Sequence, residues 1–292
     1  MRILRFIKKQ LYFFVAFYFG FFAWIYLKRW KPKIITVIGS SGKTTLLHLL
    51  ASELGDQARV SYKANSAFGI PFNVLGLERT SYRMTEWFIF VLKAPFRAMG
   101  KVYTEKLYIT EADAERPKEA QFLASLLQPE TLIWISLGEA HGINYDHVDA
   151  DVKKAMAHEF GYFIEATKKT IFLNQENIYI HNQADRTKLP IDWISPKDIS
   201  NVIINLTTTT VTTSEGTFTI PALLPRDAGL SVDVAARAIA FYSEKVPTFS
   251  KFILPPSRSS VLKGIKNTTI IDSSYNGTIE GMRVMLDLMQ HY

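Results

Sequence analysis

The stretch Gly39-Ser40-Ser41-Gly42-Lys43-Thr44-Thr45 packs two glycines, a lysine and two threonines into one short loop. That combination suits phosphate. Glycines let the backbone curl so that consecutive N–H groups face phosphate oxygens, and a helix starting just beyond adds its positive N-terminal end. Lys43 places a cation on the β- and γ-phosphates, and the Thr44 hydroxyl is positioned to ligate Mg²⁺. The common phosphate loop carries a further glycine five positions before the second one, where this chain has Val37. Glu111, at the end of the apolar run "KLYIT", and His141, after "TLIWISL", can join such a site. Ligands of open α/β sheets bind beyond the carboxyl ends of strands, so a carboxylate at Glu111 can hold Mg²⁺ alongside Thr44. A lone histidine such as His141 is usually structural, and neither His147 nor His158 has zinc-type spacing.

The elements that must position these groups follow from hydrophobic pattern. "KIITVI" predicts a buried strand entering the loop, and "TTLLHLLASEL" an amphipathic helix leaving it. "KLYIT", "TLIWISL" and "KTIFLN" are further short β-rich runs, with helical spacing over residues 118–127 and 149–166 between them. Strands alternating with helices indicate a parallel sheet covered on both faces. The Thr-rich alternation of residues 201–220 predicts a small antiparallel side sheet, and residues 231–244 a helix. "NTTIID" is a last strand, with a helix from Glu280 after it. The apolar "WFIFVLKAPF", residues 87–96, is either a second membrane contact or ordinary core, with core the expectation.

Charge excludes one partner class. Eight of the 34 basic residues lie in residues 1–33, which hold no acidic residue, leaving 26 basic against 27 acidic in the rest. The globular part therefore has no cationic excess with which to seek nucleic acid. Between the two basic clusters Leu11–Leu27 is uncharged. As a helix it spans about 25 Å at ~1.5 Å per residue, near the short limit for crossing a bilayer. Trp24, Tyr26 and Trp30 suit the headgroup level and the flanking Lys and Arg can snorkel. No small-residue cleavage site follows, so a retained membrane-lipid anchor is expected, with the nucleotide domain on the cytosolic side of the membrane. The fold class expected is α/β: a mostly parallel phosphate-loop sheet flanked by helices, a small antiparallel side sheet, and an N-terminal membrane helix. The absence of cysteine removes thiol nucleophiles and thiolate metal sites.

Six segments, "GSSGKTT", "KANSAFGIPFNVLGL", "TEADAERPKEAQFLASLLQPE", "WISLGEAHGINY", "FLNQEN" and "PSRSSVLKGIKNTTIIDSSYNGT", occur in the order of the Mur ligase central domain. The chain resembles that family from residue 34 to about 290, most of all its D-alanyl-D-alanine-adding branch. With the anchor and its basic flanks over 1–33, the resemblance implies a central ATP-binding domain over 34–255 and the start of a C-terminal ligase domain over 256–292. It implies that Gly39, Ser40, Ser41, Gly42, Lys43, Thr44 and Thr45 bind ATP phosphates, and that Thr44, Glu111 and His141 hold Mg²⁺. Arg258, Asp272, Tyr275 and Asn276 match positions at the base and ribose, and Asn65 and Ser66 a segment facing phosphates and muramoyl substrate. The activity implied is ATP-dependent amide ligation in peptidoglycan precursor synthesis. It joins a UDP-muramoyl peptide and an amine such as D-Ala-D-Ala through an acyl phosphate, with Lys43, Glu111 and His141 as the catalytic set.

The pattern departs in places. The family's metal-binding Lys-x-Glu aligns with Phe160 and Tyr162, its adenine-contacting Asn with Val232, and Thr278 and Ile279 replace an Asn-Pro. The resemblance does not extend to the family's uridine-nucleotide domain, in whose place the anchor is expected. The last helix, with Met282, Val284, Met285, Leu286 and Leu288, calls for a cover, either more chain or a protein partner. These departures set up a rival reading, a degenerate membrane-anchored ATP-binding scaffold without ligase activity. A small-molecule kinase would need the longer glycine loop and an Arg-rich lid.

Overall fold

The computed structural model describes residues 2–62, 64–81, 83–138, 142–275 and 279–289. A long helix, α1 (Arg2–Trp30), leads into β1 (Lys33–Gly39) and α2 (Lys43–Leu54). Next come β2 (Ala58–Ser61), α3 (Gly69–Leu75), α4 (Met84–Met99), β3 (Leu107–Ala112), α5 (Glu119–Leu127) and β4 (Thr131–Ser136). They are followed by α6 (Val152–Ala166), β5 (Thr170–Asn174), α7 (Ile178–His181) and β6 (Ile191–Ile194). The chain continues through β7 (Ile199–Ile204), β8 (Thr209–Thr213), β9 (Gly216–Ile220), α8 (Ala228–Ala240), β10 (Ser260–Lys263), β11 (Thr269–Asp272) and α9 (Ile279–Met289).

Six strands form one sheet in the order β2-β3-β1-β4-β5-β6, every neighbouring pair parallel. Because both faces are covered, β1, β3 and β4 are near-continuous apolar runs rather than alternating ones. Their residues split by parity. Ile34, Ile38, Tyr108, Leu132 and Trp134 join a core with α1 and α3 to α6. Ile35, Val37, Ile109, Ile133 and Ile135 join a second core with α2, α8 and the side sheet. The chain leaves β1 towards β2 on one side and returns past it to β4 on the other. That places the topological switch point, where such sheets bind ligands, at the carboxyl end of β1.

The expected α/β architecture and antiparallel side sheet are present. The side sheet is a three-stranded meander, β7-β8-β9, in which Val211 and Phe218 face the core. Thr210 pairs with Thr219 and Thr212 with Thr217 through their hydroxyls on the exposed face. Strand–strand register is thus set by a dry face and a threonine ladder on the opposite one.

Helix α1 is long and apolar enough over Leu11–Trp30 to cross a membrane. It is also part of the domain. Ala16, Phe19 and Ala23 are fully buried, and Phe19 meets Phe72 edge-on at 4.7 Å between ring centroids. Gly20 lies so close to Phe122 that a Cβ there would meet its ring at 2.6 Å. Polar tips are satisfied across the same interface: Tyr18 Oη donates to Val91 O at 2.7 Å and Trp30 Nε1 to Glu105 O at 2.7 Å. The "WFIFVLKAPF" run is α4, and only one side of it is core. Phe90, Ala94 and Ala98 are buried, whereas Phe88, Leu92, Phe96 and Met99 are exposed. In α9, Met282, Leu286 and Met289 are exposed while Leu288 is buried.

Candidate functional site

The phosphate-type loop sits at the switch point. Gly39 ends β1 at φ 139° and Gly42 precedes α2 at φ 81°, both left-handed-side conformations that L side chains rarely adopt. Gly39 is also sterically pinned, since a Cβ would lie 2.8 Å from Ser136 O on the neighbouring strand β4. Gly39→Ala is therefore expected to lower stability by about 1–3 kcal/mol of backbone strain. A thermal melt that matched the parent would contradict this geometry.

Helix α2 starts without any side-chain cap. The N–H groups of its first turn, Lys43, Thr44 and Thr45, have no intrahelical acceptor and carry the positive end of the helix dipole. Upstream the loop is held by β4: Ser40 N donates to Ser136 O at 3.3 Å, and Ser41 N to Ser136 Oγ at 2.9 Å. The Ser40 and Ser41 amides, expected to face phosphate, are thus engaged with Ser136, and the uncapped first turn of α2 is the donor cluster on view. Ser136 itself was not legible as a site residue, because its role comes from a neighbouring strand.

Lys43 is buried, with its ammonium donating to Gly39 O and paired with Asp113 Oδ2 at 3.2 Å. Thr44 Oγ1 donates to Glu111 Oε2 at 2.9 Å. Glu111 lies in β3, opposite Val37 of β1, and Asp113 follows two residues on, so both carboxylates leave the same face of the chain. The sequence reading missed Asp113. Its signal was the i, i+2 carboxylate pair in "TEAD", read there as Glu111 alone.

Asn65 reaches this cluster: its O accepts from Asp113 N at 2.9 Å, and its Nδ2 lies 3.5 Å from Asp113 Oδ2. Ser66 Oγ accepts from Gly69 N at 3.1 Å, at the entry of α3. The segment is fixed from behind by Glu119, whose Oε1 accepts from Ala67 N at 2.9 Å and from Tyr12 Oη of α1 at 2.9 Å. Burial pushes the Glu119 carboxyl above its usual range, only partly offset by those two bonds. A carboxylate raised in the folded state makes the fold bind more protons than the unfolded chain. It therefore costs stability as pH rises from the ordinary value of 4.5 through the raised one. Glu119→Gln keeps an acceptor for Ala67 without the charge. Its Tm relative to the parent is expected to climb with pH across that window, and a pH-independent difference would contradict the assignment.

Arg258, Asp272 and Tyr275 come together around the β10–β11 hairpin. The Arg258 guanidinium lies 4.1 Å from the Tyr275 ring centroid. Asp272 accepts from Ser257 Oγ at 2.9 Å and from Ser274 N at 3.0 Å; the Ser274 hydroxyl first, then the Ser274 N–H and the Ser257 hydroxyl, hold its carboxyl below the usual range. Burial, then the Arg258 charge, holds the imidazole of His48 on α2 below its ordinary value. His141 and Asn276 lie outside the described residues. Phe160, at the position aligned with a metal-binding lysine, is fully buried with its ring 5.6 Å from that of Trp134, which makes it core. Val232 is likewise buried. Its neighbour Ser231 comes close to the loop, since a Cβ on Gly42 would meet Ser231 Oγ at 3.5 Å.

The donor set fits Mg²⁺. Thr44 and Glu111 offer a hydroxyl and a carboxylate at one spot, and no cluster of three or more His, Asp or Glu that could cage a metal occurs among the described residues. Mg²⁺ is commonly held by one or two such oxygen ligands, with water and substrate phosphates filling the remaining positions.

No model of a known protein family matches the chain. Solved structures do. The UDP-N-acetylmuramoylalanyl-D-glutamyl-2,6-diaminopimelate–D-alanyl-D-alanyl ligase of Acinetobacter baumannii superposes with a TM-score of 0.71 at 15% identity, over 94% of this chain and 58% of that one. MurF ligase from Thermotoga maritima in complex with ADP gives 0.74 at 15% identity, over 95% and 61%. E. coli FolC in complex with DHPP and ADP gives 0.59 at 15% identity, over 92% and 69%. The chain thus has the fold of MurF and other Mur ligases, and spans about three fifths of the length of the MurF structures it matches.

Proposed function

We propose that this chain binds Mg-ATP at the start of α2 and serves ATP-dependent amide ligation of the Mur type. The observation that carries the reading is the 2.9 Å contact between Thr44 and Glu111, beside buried Lys43, at an uncapped helix N-terminus on a sheet switch point. Support also comes from fold neighbours in complex with ADP. In this reading the first-turn N–H groups of α2 and the Lys43 ammonium neutralise the terminal phosphates, exchanging the Asp113 carboxylate for phosphate oxygen. Thr44 and Glu111 would hold Mg²⁺, which supplies further positive charge to the transferring phosphoryl group when bound. A substrate carboxylate attacks the γ-phosphorus and ADP leaves, giving an acyl phosphate. An amine then attacks the carbonyl, phosphate departs with the C–O bond electrons, and the amine proton passes to solvent or base. No protein nucleophile is needed. Asn65 and Ser66, held by Glu119 and α3, face the carboxylate-bearing substrate, and Arg258, Asp272 and Tyr275 the nucleoside.

By the sequence resemblance the substrates are a UDP-muramoyl peptide and a D-Ala-D-Ala-like amine, and its use of ATP places the domain on the cytosolic side. ADP release by the full chain, dependent on both substrates and lost in Glu111→Gln, tests the ligase. One observation favours a second reading, an ATP-binding scaffold: Phe160 fills with core the place aligned with a metal-site lysine. Mg-ATP binding without substrate-dependent ADP release would select that reading.

A further inference from the structure

The exposed sides of α1 and α4 form one surface. On α1, Phe14, Phe17, Phe21 and Trp24 recur at helical spacing and are 43–73% exposed. On α4, Phe88, Leu92, Phe96 and Met99 do the same, Phe96 reaching 79%. The helices run in the same sense and touch along a seam, where Tyr18 meets Val91 and Arg29 donates to Ala98 O at 2.6 Å. Tyr18 and Phe22 on α1 and Val91 on α4 are half-buried at this seam, so the two apolar stripes are continuous across it. Isolated exposed apolar residues are ordinary, but an aromatic patch carried on two packed helices is not.

Its border is cationic. Lys28, Arg29 and Lys31 stand exposed at the end of α1, with Lys93 and Arg97 along α4 and Lys101 beyond it. α1 has no acidic residue, and the single acid of α4, Glu86, is turned back onto Thr80 and Ser81. Aromatic and aliphatic side chains ringed by Lys and Arg match an anionic lipid leaflet: rings enter the acyl–headgroup boundary and ammonium groups meet phosphate. The acid beside the end of α1, Glu130, is paired with Lys169 at 2.9 Å, so the border keeps a cationic excess that a partner protein's apolar face would not call for.

We infer that α1 and α4 together form a monotopic docking face for an anionic membrane surface, with α1 lying in the membrane plane rather than crossing it. A spanning helix has hydrocarbon on all sides. α1 is sealed along one side to the sheet domain, where Tyr12 donates to the buried Glu119 carboxylate and Phe19 is fully enclosed. To cross a bilayer it would have to pull away from that side, opening the core around Phe72 and Phe122, or drag the polar domain into lipid. The same Tyr12–Glu119–Ala67 chain ties the docking face to the Asn65 segment, although the inference does not rest on the ligase reading.

The full chain tests this directly, because it contains no cysteine and single introduced thiols report one position each. Co-sedimentation with phosphatidylcholine vesicles containing phosphatidylglycerol should exceed that with phosphatidylcholine alone by at least tenfold. Phe88→Ser/Phe96→Ser should lose at least tenfold of it with an unchanged thermal melt. An environment-sensitive dye on Phe17→Cys and on Phe96→Cys should in each case be quenched most by shallow spin-labelled lipid. Equal binding to neutral vesicles would overturn the anionic assignment. Deep quenching at position 17 with a water-exposed label at position 96 would show a crossing helix and overturn the in-plane one. A lipid-indifferent dimer that buries both labels would assign the face to a second copy and overturn the lipid one.

Discussion

Lys43→Ala is expected to weaken Mg-ATP binding about 10- to 100-fold, the equivalent of one or two charge-assisted hydrogen bonds to phosphate. It should lower stability as well. Lys43 and Asp113 form a buried pair, 10% and 9% exposed at their side chains, and removing one partner of such a pair leaves the other charge in a poorly solvated place. The two effects separate in a double variant. Lys43→Ala/Asp113→Asn relieves the stranded carboxylate, so its Tm should recover most of the loss while binding stays weak. Titration calorimetry and thermal melts on the parent, the two single variants Lys43→Ala and Asp113→Asn, and the double variant check this. Recovery of binding along with stability would mean that Lys43 acts only as a structural counter-ion.

Arg237→Ala should produce the largest stability loss, about 3–5 kcal/mol for breaking a buried charge network. Arg237 on α8 pairs with Asp233 at 3.1 Å and with Asp192, and donates to Trp193 O at 2.9 Å, joining the helix to β6. Asp233 is fully buried and its Oδ1 has no hydrogen-bond partner. Burial already pushes its carboxyl upward, against the opposing pull of Arg237. Without the guanidinium its folded value rises further, so the variant binds a proton on folding and its deficit grows as pH rises above the ordinary 3.8. Melts at pH 5 and pH 8 read this, and a deficit independent of pH would contradict it. Because α8 also carries Ser231 against Gly42, nucleotide affinity should fall with stability.

Much of the candidate site's geometry was legible because its signals are local. A strand, a glycine turn and a helix in that order force Lys43 and Thr44 to the carboxyl edge of a sheet, and Glu111 at the end of another strand had to reach the same edge. Asp113 was equally readable from its spacing. Ser136 and Ser231 were not, since each meets the loop only through β4 and α8. β2 and β6 escaped because "ARVS" and "IDWI" are short, half-exposed edge strands with no apolar run. α4 read as core ahead of a second membrane contact for the opposite reason: its exposed side is as apolar as its buried side, so the sequence carries no polar stripe to mark solvent. For α1, composition alone does not distinguish a bilayer from a neighbouring helix; the packing of Phe19 and the bonds of Tyr12 and Tyr18 add that information.

The central claim is that this helix N-terminus holds the far end of a triphosphate. Calorimetric titration of the full chain with Mg-ATP and, separately, with Mg-AMP tests it most directly. Saturable ATP binding with AMP at least tenfold weaker is the predicted result. Absence of binding at millimolar ATP, or equal affinity for the two nucleotides, would contradict it.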